Sequence, residues 1–205
     1  MKTSLHQTQT IAWQQGWRLL ASISLGLLLL ACAVMLLQPD VEGVRRVIRV
    51  TARTSFAFFL LAFTASSIAR RWPNKWTRWQ MSNRRYLGLS FAVSHTIHLV
   101  AILAFAQLDP LGFHAASNFG SIISGGLAYV FIAAMAATSF DAAQRWLGSR
   151  LWSRLHWLGS YYIWLSFMVT FGKRIPMSPT YALPIVILLL ALSIRLWPKI
   201  RRAPH

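Results

Sequence analysis

An all-α, polytopic membrane bundle of about six transmembrane helices is the fold this sequence predicts, and three observations predict it. The chain has 205 residues, 56% of them hydrophobic, with ten tryptophans. Its 21 basic residues stand against only 4 acidic ones, and they lie in short blocks between long apolar runs. Those runs approach the roughly 20 residues that a helix needs to cross a hydrocarbon core. A soluble domain this basic would bind nucleic acid, but charge gathered into blocks marks loops between membrane spans. Lipid, and no nucleic acid, is the expected partner.

The runs fall at about 19–37, 54–68, 86–105, 119–138, 156–171 and 181–197. Gly and Ser recur inside them, which suits membrane bundles because small residues let helices approach closely. The connections are short, so residues 1–205 read as a single bundle. Cytoplasmic loops are enriched in Lys and Arg. Arg70, Arg71, Lys75, Arg78, Arg84 and Arg85 follow the second run, and Arg145, Arg150 and Arg154 follow the fourth. With Lys2 and Arg18 before the first run, and Arg195, Lys199, Arg201 and Arg202 at the last, this places both termini in the cytoplasm. A bacterial inner membrane suits such a compact multi-pass chain.

Four arginines break the rule. Arg45, Arg46, Arg49 and Arg53 fall in the first outer loop, where Val44, Val47 and Ile48 recur at helical spacing. An amphipathic helix lying in the outer interface is expected there, its arginines reaching lipid phosphates. Cys32 is the only cysteine, which excludes an intrachain disulfide and a Cys-rich metal site. The LLLLACAV around it loosely resembles a lipoprotein cleavage site, but Leu30 is unusual there and cleavage would cost the bundle a helix.

Chemistry is located by elimination. Asp40, Glu42, Asp109 and Asp141 all fall in loops, so the spans carry no carboxylate for a proton relay or a nucleophilic triad. No glycine pattern makes a phosphate-binding loop. Transport has only Gly125 and Gly126 as a hint of a broken helix. Histidine remains: His95 and His98 in RRYLGLSFAVSHTIHLVAIL, and His156 in SRLHWLGSYYIW. His95 and His98 share roughly one helix face, about 4.5 Å apart along the axis. His98 belongs to the outer half of the membrane and His156 to the cytoplasmic edge, so two levels are expected. Neutral imidazole in a carboxylate-free core serves as a haem axial ligand or as a hydrogen-bonding group between helices, with Ser90, Ser94 and Thr96 at hand. The residues alone leave both readings open.

A resemblance bears on that choice. NRRYLGLSFAVSHTIHL resembles the third helix of the ferric reductase-like transmembrane family, TARTSFAFFLLAFTASSIARRW its second, and TSFDAAQRWLGSRLWSRLHWLGSYYIW its loop and fifth helix. Within the family the likeness is to the haem-binding membrane subunit of the bacterial periplasmic methionine sulfoxide reductase system. The resemblance implies a b-type haem protein, with one or two haems, that carries electrons across the membrane. His98 stands at the family's third-helix ligand and His156 at the first ligand of its fifth helix. Arg84 stands at the inner level, where that subunit also has arginine, and His95 could replace His98.

One position departs from the pattern. The family's second fifth-helix histidine is here Val169. An outer iron would then be held by His98 alone, or with Met168 or His114. This departure also keeps open a haem-poor scaffold or assembly subunit. The resemblance further implies propionate partners among Arg78, Arg84 and Arg85 on the inner side and Arg46, Arg49, Lys173 and Arg174 on the outer side. Trp72, Trp76, Trp79, Trp146, Trp152 and Trp157 read as interfacial anchors, with quinone or flavin stacking as a second use. The chain shows no flavin or nicotinamide domain, so the expected donor is a quinol or a separate reductase. The expected acceptor is an outer protein or ferric iron.

Overall fold

The structure, a computed structural model, describes residues 15–197. Lys2, Lys199, Arg201 and Arg202 lie outside the described residues. Among those described there is no strand. The helices are α1 (Gly16–Leu37), α2 (Val41–Arg71), α3 (Lys75–Ser82), α4 (Arg84–Leu108), α5 (Pro110–Ala116), α6 (Phe119–Ala137), α7 (Asp141–Leu147), α8 (Ser149–Gly172) and α9 (Ala182–Leu196), the last entered through a 3-10 turn at Pro179–Tyr181.

The scarce polar residues of the loops start these helices. Asp40 accepts from the Gly43 amide at 2.8 Å and Asp109 from the Gly112 amide at 2.8 Å, each satisfying an N–H that has no partner within its helix. Asn74 with Thr77, and Asn118 with Ser121, form capping boxes at α3 and α6. Gly148, at φ +76°, makes the left-handed joint between α7 and α8 that a side chain would strain.

Five segments among the described residues are long and apolar enough to cross a membrane: α1, α2, α4, α6 and Pro179–Leu196. This is the pattern of a multi-pass membrane protein. The expected fifth run lies in α8, which is long enough at 24 residues but carries Arg150 and Arg154 in its first turns and is not among the five. Two expected boundaries are corrected. The run at 54–68 is part of a 31-residue helix, α2, and the segment around Val44 continues it instead of forming a separate interfacial helix. Val44 and Val47 are buried against Ala101 and Phe105 of α4, with Ala31 and Val34 of α1 beside them, while Arg45, Arg46 and Arg49 stay exposed. The amphipathic pattern was correctly read, but its apolar face meets helices, not lipid. The run at 156–171 likewise begins about two turns earlier, at Ser149.

The long helices alternate in direction. The C-terminal half of α1, the start of α2 and the end of α4 meet in one cluster near Phe113. At the opposite end the Gly16 amide donates to Asn83 Oδ1 at 3.0 Å, and Trp17 stacks on Phe140. The basic blocks following α2 and α6 gather at this second end, termed here the Asn83 end.

The interior is more polar than the perimeter. α1 exposes Leu25, Leu28, Leu29, Leu36 and Leu37, whereas Ser55, Ser90 and Ser94 are fully buried. α2 and α4 approach each other along these small residues. Ser55 Oγ donates to Ser94 Oγ at 2.9 Å, Thr54 Oγ1 lies 2.8 Å from the same oxygen, and Ser94 Oγ reaches the Thr51 carbonyl at 3.2 Å. Hydroxyls can fill a membrane interior because each finds a partner there, most often a carbonyl of its own helix or a facing helix. Beside this seam lies the main apolar cluster, built from Phe59 and Phe63 of α2, Phe91 of α4, Ile132 of α6, Ile163 and Phe167 of α8, and Leu188 and Ala191 of α9.

Candidate functional site

The polar seam positions His98. Its Nδ1 lies 3.0 Å from the Ile48 carbonyl and 3.0 Å from Thr51 Oγ1, both on α2. A carbonyl can only accept, so Nδ1 carries the proton. Thr51 gives its own hydroxyl proton to the Val47 carbonyl at 2.7 Å and is left as an acceptor for the same imidazole. The lone pair of His98 is therefore on Nε2, the arrangement in which one ring nitrogen is anchored and the other is free to bind a metal.

His95 sits one turn back, its ring stacked on His98 with centroids 5.2 Å apart. It also contacts Tyr129 of α6 at 5.0 Å and Phe167 of α8 at 6.4 Å. His95 Nδ1 and the Tyr129 hydroxyl are buried without a hydrogen-bond partner, a costly arrangement in a protein interior. The pair thus divides its contacts: His98 bonds to α2, and His95 is the one that meets α8. Ser90, Ser94 and Thr96 bond to backbone or to each other's neighbours and not to either imidazole.

Val169 is 47% exposed and points out of the bundle, because two residues along a helix turn the side chain through about 200° from Phe167. Phe167 occupies the inward position near His95. Met168 packs at the margin of the apolar cluster. His114 is exposed on α5, with Phe113 as its ring neighbour at 6.0 Å.

A separate cavity of about 250 Å³ lies nearer the Asn83 end. Its apolar walls come from Phe59, Phe63, Phe91, Ile132 and Ile163, and its polar rim holds Arg84, Arg85, Arg195, Gln144, Trp152 and His156. Arg84 Nε donates to the Ala62 carbonyl at 3.3 Å. Arg195 donates to the Phe63 carbonyl at 2.6 Å and lies 4.2 Å above the Phe63 ring. Arg85 is held by Asp141. That contact, first through its hydrogen bond and then through its charge, keeps the exposed Asp141 carboxyl below its ordinary range.

His156 stacks on Trp152 with centroids 4.4 Å apart, and its Nε2 is 3.2 Å from Thr138 Oγ1. Thr138 gives its single hydroxyl proton to the Ala134 carbonyl at 2.7 Å, so His156 Nε2 acts as donor and its lone pair lies on Nδ1. Trp152 Nε1 donates to the Thr138 carbonyl at 2.9 Å and locks this corner.

The structure therefore brings His156 and Arg84 to one cavity and His95 and His98 to another level. Of the arginines expected around an inner group, Arg84 and Arg85 line the cavity and Arg78 is exposed outside it. On the other side Arg49 is engaged by Glu42, and Arg174 lies over the Tyr181 ring at 5.9 Å. Trp152 leaves the set of interfacial tryptophans and becomes a cavity wall; Trp72, Trp76, Trp146 and Trp157 are exposed. The sequence reading missed Thr51, Ile48 and Thr138, all on other helices from the histidines they hold, and Arg195. Its one available signal was that Arg195 is the only charge within the last apolar run. α6 continues unbroken through Gly125 and Gly126, which removes the hint of a discontinuous transporter helix.

Among the described residues no group of three or more His, Cys, Asp or Glu is placed to hold a metal ion. A haem iron takes its remaining ligands from the porphyrin and needs only one or two axial side chains. His98, with Nδ1 anchored and Nε2 free, fits that role. At the inner level His156 and Arg84 supply an imidazole and a cation on one cavity, with the imidazole in the opposite tautomer. Compared with known proteins, the chain matches no family, no curated protein and no solved structure.

Proposed function

We propose that this chain is a membrane b-type haem protein of the ferric reductase-like kind, carrying electrons across a bacterial inner membrane. The donor is a quinol or a separate reductase, and the acceptor an outer protein or ferric iron. The observation that carries the reading is the hydrogen bond from His98 Nδ1 to the Ile48 carbonyl. It spends the only N–H of a neutral imidazole on the backbone of α2 and leaves a lone pair inside a core without carboxylates. Haem, when bound, supplies one-electron chemistry at its iron.

The residues divide the remaining work. Thr51 and Ile48 hold the His98 ring in one tautomer and orientation. Arg84 places positive charge at the inner level, where His156 is the available ligand. The apolar walls of the bundle exclude water, which sets burial as a determinant of potential. A cavity of about 250 Å³ is small beside the roughly 300–1,000 Å³ of ligand pockets, so loading at the inner level requires its walls to open further.

One observation favours a second reading. Phe167 fills the inward position near His95, and Val169 offers no ligand on the outward face. A haem-poor scaffold or assembly subunit would have this outer level. Haem content separates the two. The electron carrier binds haem stoichiometrically and loses most of it in His98→Ala, with a smaller loss in His95→Ala. A scaffold is colourless in all three forms when expressed with ample haem.

A further inference from the structure

Two of the three arginines that line the Asn83-end cavity, Arg84 and Arg195, have no carboxylate partner among the described residues. The chain has four carboxylates, Asp40, Glu42, Asp109 and Asp141. Asp40 and Asp109 cap helices, Glu42 meets Arg45 and Arg49, and Asp141 meets Arg85. Arg84 and Arg195 are left with backbone carbonyls as acceptors, those of Ala62 and Phe63. Both are partly buried, and both line the same cavity. His156 lines the cavity with them.

Two uncompensated guanidiniums in a shared, partly desolvated space are unfavourable until an anion joins them. Each retains N–H groups beyond the one bonded to a carbonyl, in the planar fork that suits carboxylate and phosphate. The rest of the cavity selects further. Phe59, Phe91, Ile132 and Ile163 form its wall, and a small inorganic anion would leave that wall facing water. A ligand with an acid group on an apolar body satisfies both parts at once.

We propose that this cavity binds an amphipathic anion, its acid group seated between Arg84 and Arg195 and its apolar body against Phe59, Phe91, Ile132 and Ile163. The assignment goes beyond the haem reading: a porphyrin as the source would rest on that reading, and a lipid as the source would not. Two sources offer the same chemistry: the phosphate of an anionic phospholipid and the propionate of a porphyrin. Arg195 is central because it brings α9 to the site. Its side chain ties the last helix to α2 and presents charge to the cavity together.

The test uses the full chain in detergent, freed of lipid by exchange and examined by native mass spectrometry. Phosphatidylglycerol and phosphatidylcholine with the same acyl chains are added at equal concentration. In a parallel arm the protein is produced with ample haem, and haem is quantified per chain. Wild type, Arg84→Gln, Arg195→Gln and Arg195→Lys are compared with Arg150→Gln, an exposed control on α8. Variants enter the comparison if they elute as a single species with wild-type helical content; Arg195→Lys, which keeps the charge, covers the case in which Arg195→Gln does not fold.

If the source is lipid, phosphatidylglycerol is retained and phosphatidylcholine is not, whether or not haem is present. Retention then falls by about tenfold or more in Arg84→Gln and Arg195→Gln, as expected for losing a hydrogen bond to a charged group, less in Arg195→Lys, and not in Arg150→Gln. If the source is porphyrin, haem content falls in the same order and the haem-loaded chain rejects phosphatidylglycerol. Lipid retention and haem content both unchanged in the Arg84 and Arg195 variants would overturn the proposal, as would equal uptake of the two lipids with unchanged haem content. A chain that never binds haem but selects phosphatidylglycerol through Arg195 would refute the haem reading and leave this one standing.

Discussion

His98 differs from His156 in which ring nitrogen is left with a lone pair, and that difference comes from single hydrogen bonds to backbone or hydroxyl oxygen. Thr51→Val removes the hydroxyl beside His98 Nδ1 but leaves the Ile48 carbonyl. Haem content is therefore expected to remain near wild type in Thr51→Val and to fall in His98→Ala, as read by haem per chain. Glycines give a second residue-level contrast. A Cβ on Gly43 would lie 1.8 Å from the Gln38 carbonyl oxygen, whereas one on Gly26 meets nothing within 4 Å. Gly43→Ala should lower thermal stability in detergent by about 1–3 kcal/mol, the cost of forced overpacking. Gly26→Ala should be neutral or stabilising by a few tenths, roughly the gain from a stiffer unfolded chain. Asp141 supplies the pH dependence. Its folded carboxyl titrates below its unfolded value of about 3.9, so the contribution of the Arg85 contact is present above that value and is lost as pH falls through the folded one. The Asp141→Asn difference in melting temperature is expected to be small, constant from neutral pH to about pH 5, and absent in strong acid.

At the scale of elements, the α2–α4 seam holds the bundle at the level of the histidines. Ser94 is fully buried and touches Thr51, Thr54 and Ser55. Ser94→Ala should cost about 0.6 kcal/mol, the average for an interhelical hydrogen bond in a membrane protein. Ser94→Leu should separate the helices and cost several times more, with haem content falling in parallel. Thermal unfolding in detergent measures both. Much of this element-level organisation was legible in sequence. Apolar runs located all six long helices, and the recurrence of Val44 and Val47 revealed a buried face. The partner of that face was not legible, since an apolar stripe looks the same whether it meets lipid or another helix. The starts of α2 and α8 were misplaced for a related reason: Arg45, Arg49, Arg150 and Arg154 interrupt hydropathy without interrupting the helix. His98 was placed on the right helix, but its anchors lie 47 and 50 residues away, and no local spacing encodes a contact across two helices.

For the whole molecule, the alternation of long helices puts the end of α2, the starts of α4 and α8 and the end of α9 around one cavity. The basic loops gather at that same end, which fits the excess of Lys and Arg on the cytoplasmic side of membrane proteins. α8 belongs to the bundle through its contacts, although its first turns carry Arg150 and Arg154. Trp152 and His156 face the cavity, and Trp164 donates to the Leu188 carbonyl of α9 at 3.0 Å. Val169, turned outward, offers no ligand at the level of His98, so a haem held there by His98 would leave a coordination position open to a small ligand. The most direct measurement is a set of oxidised, dithionite-reduced and carbon-monoxide-treated spectra of the purified chain, with haem quantified. The account predicts at least one b-type haem per chain, a reduced band shifted by carbon monoxide, and loss of that shifted component in His98→Ala. A colourless protein from haem-replete cells, or a haem spectrum indifferent to His98→Ala and His156→Ala, would contradict it.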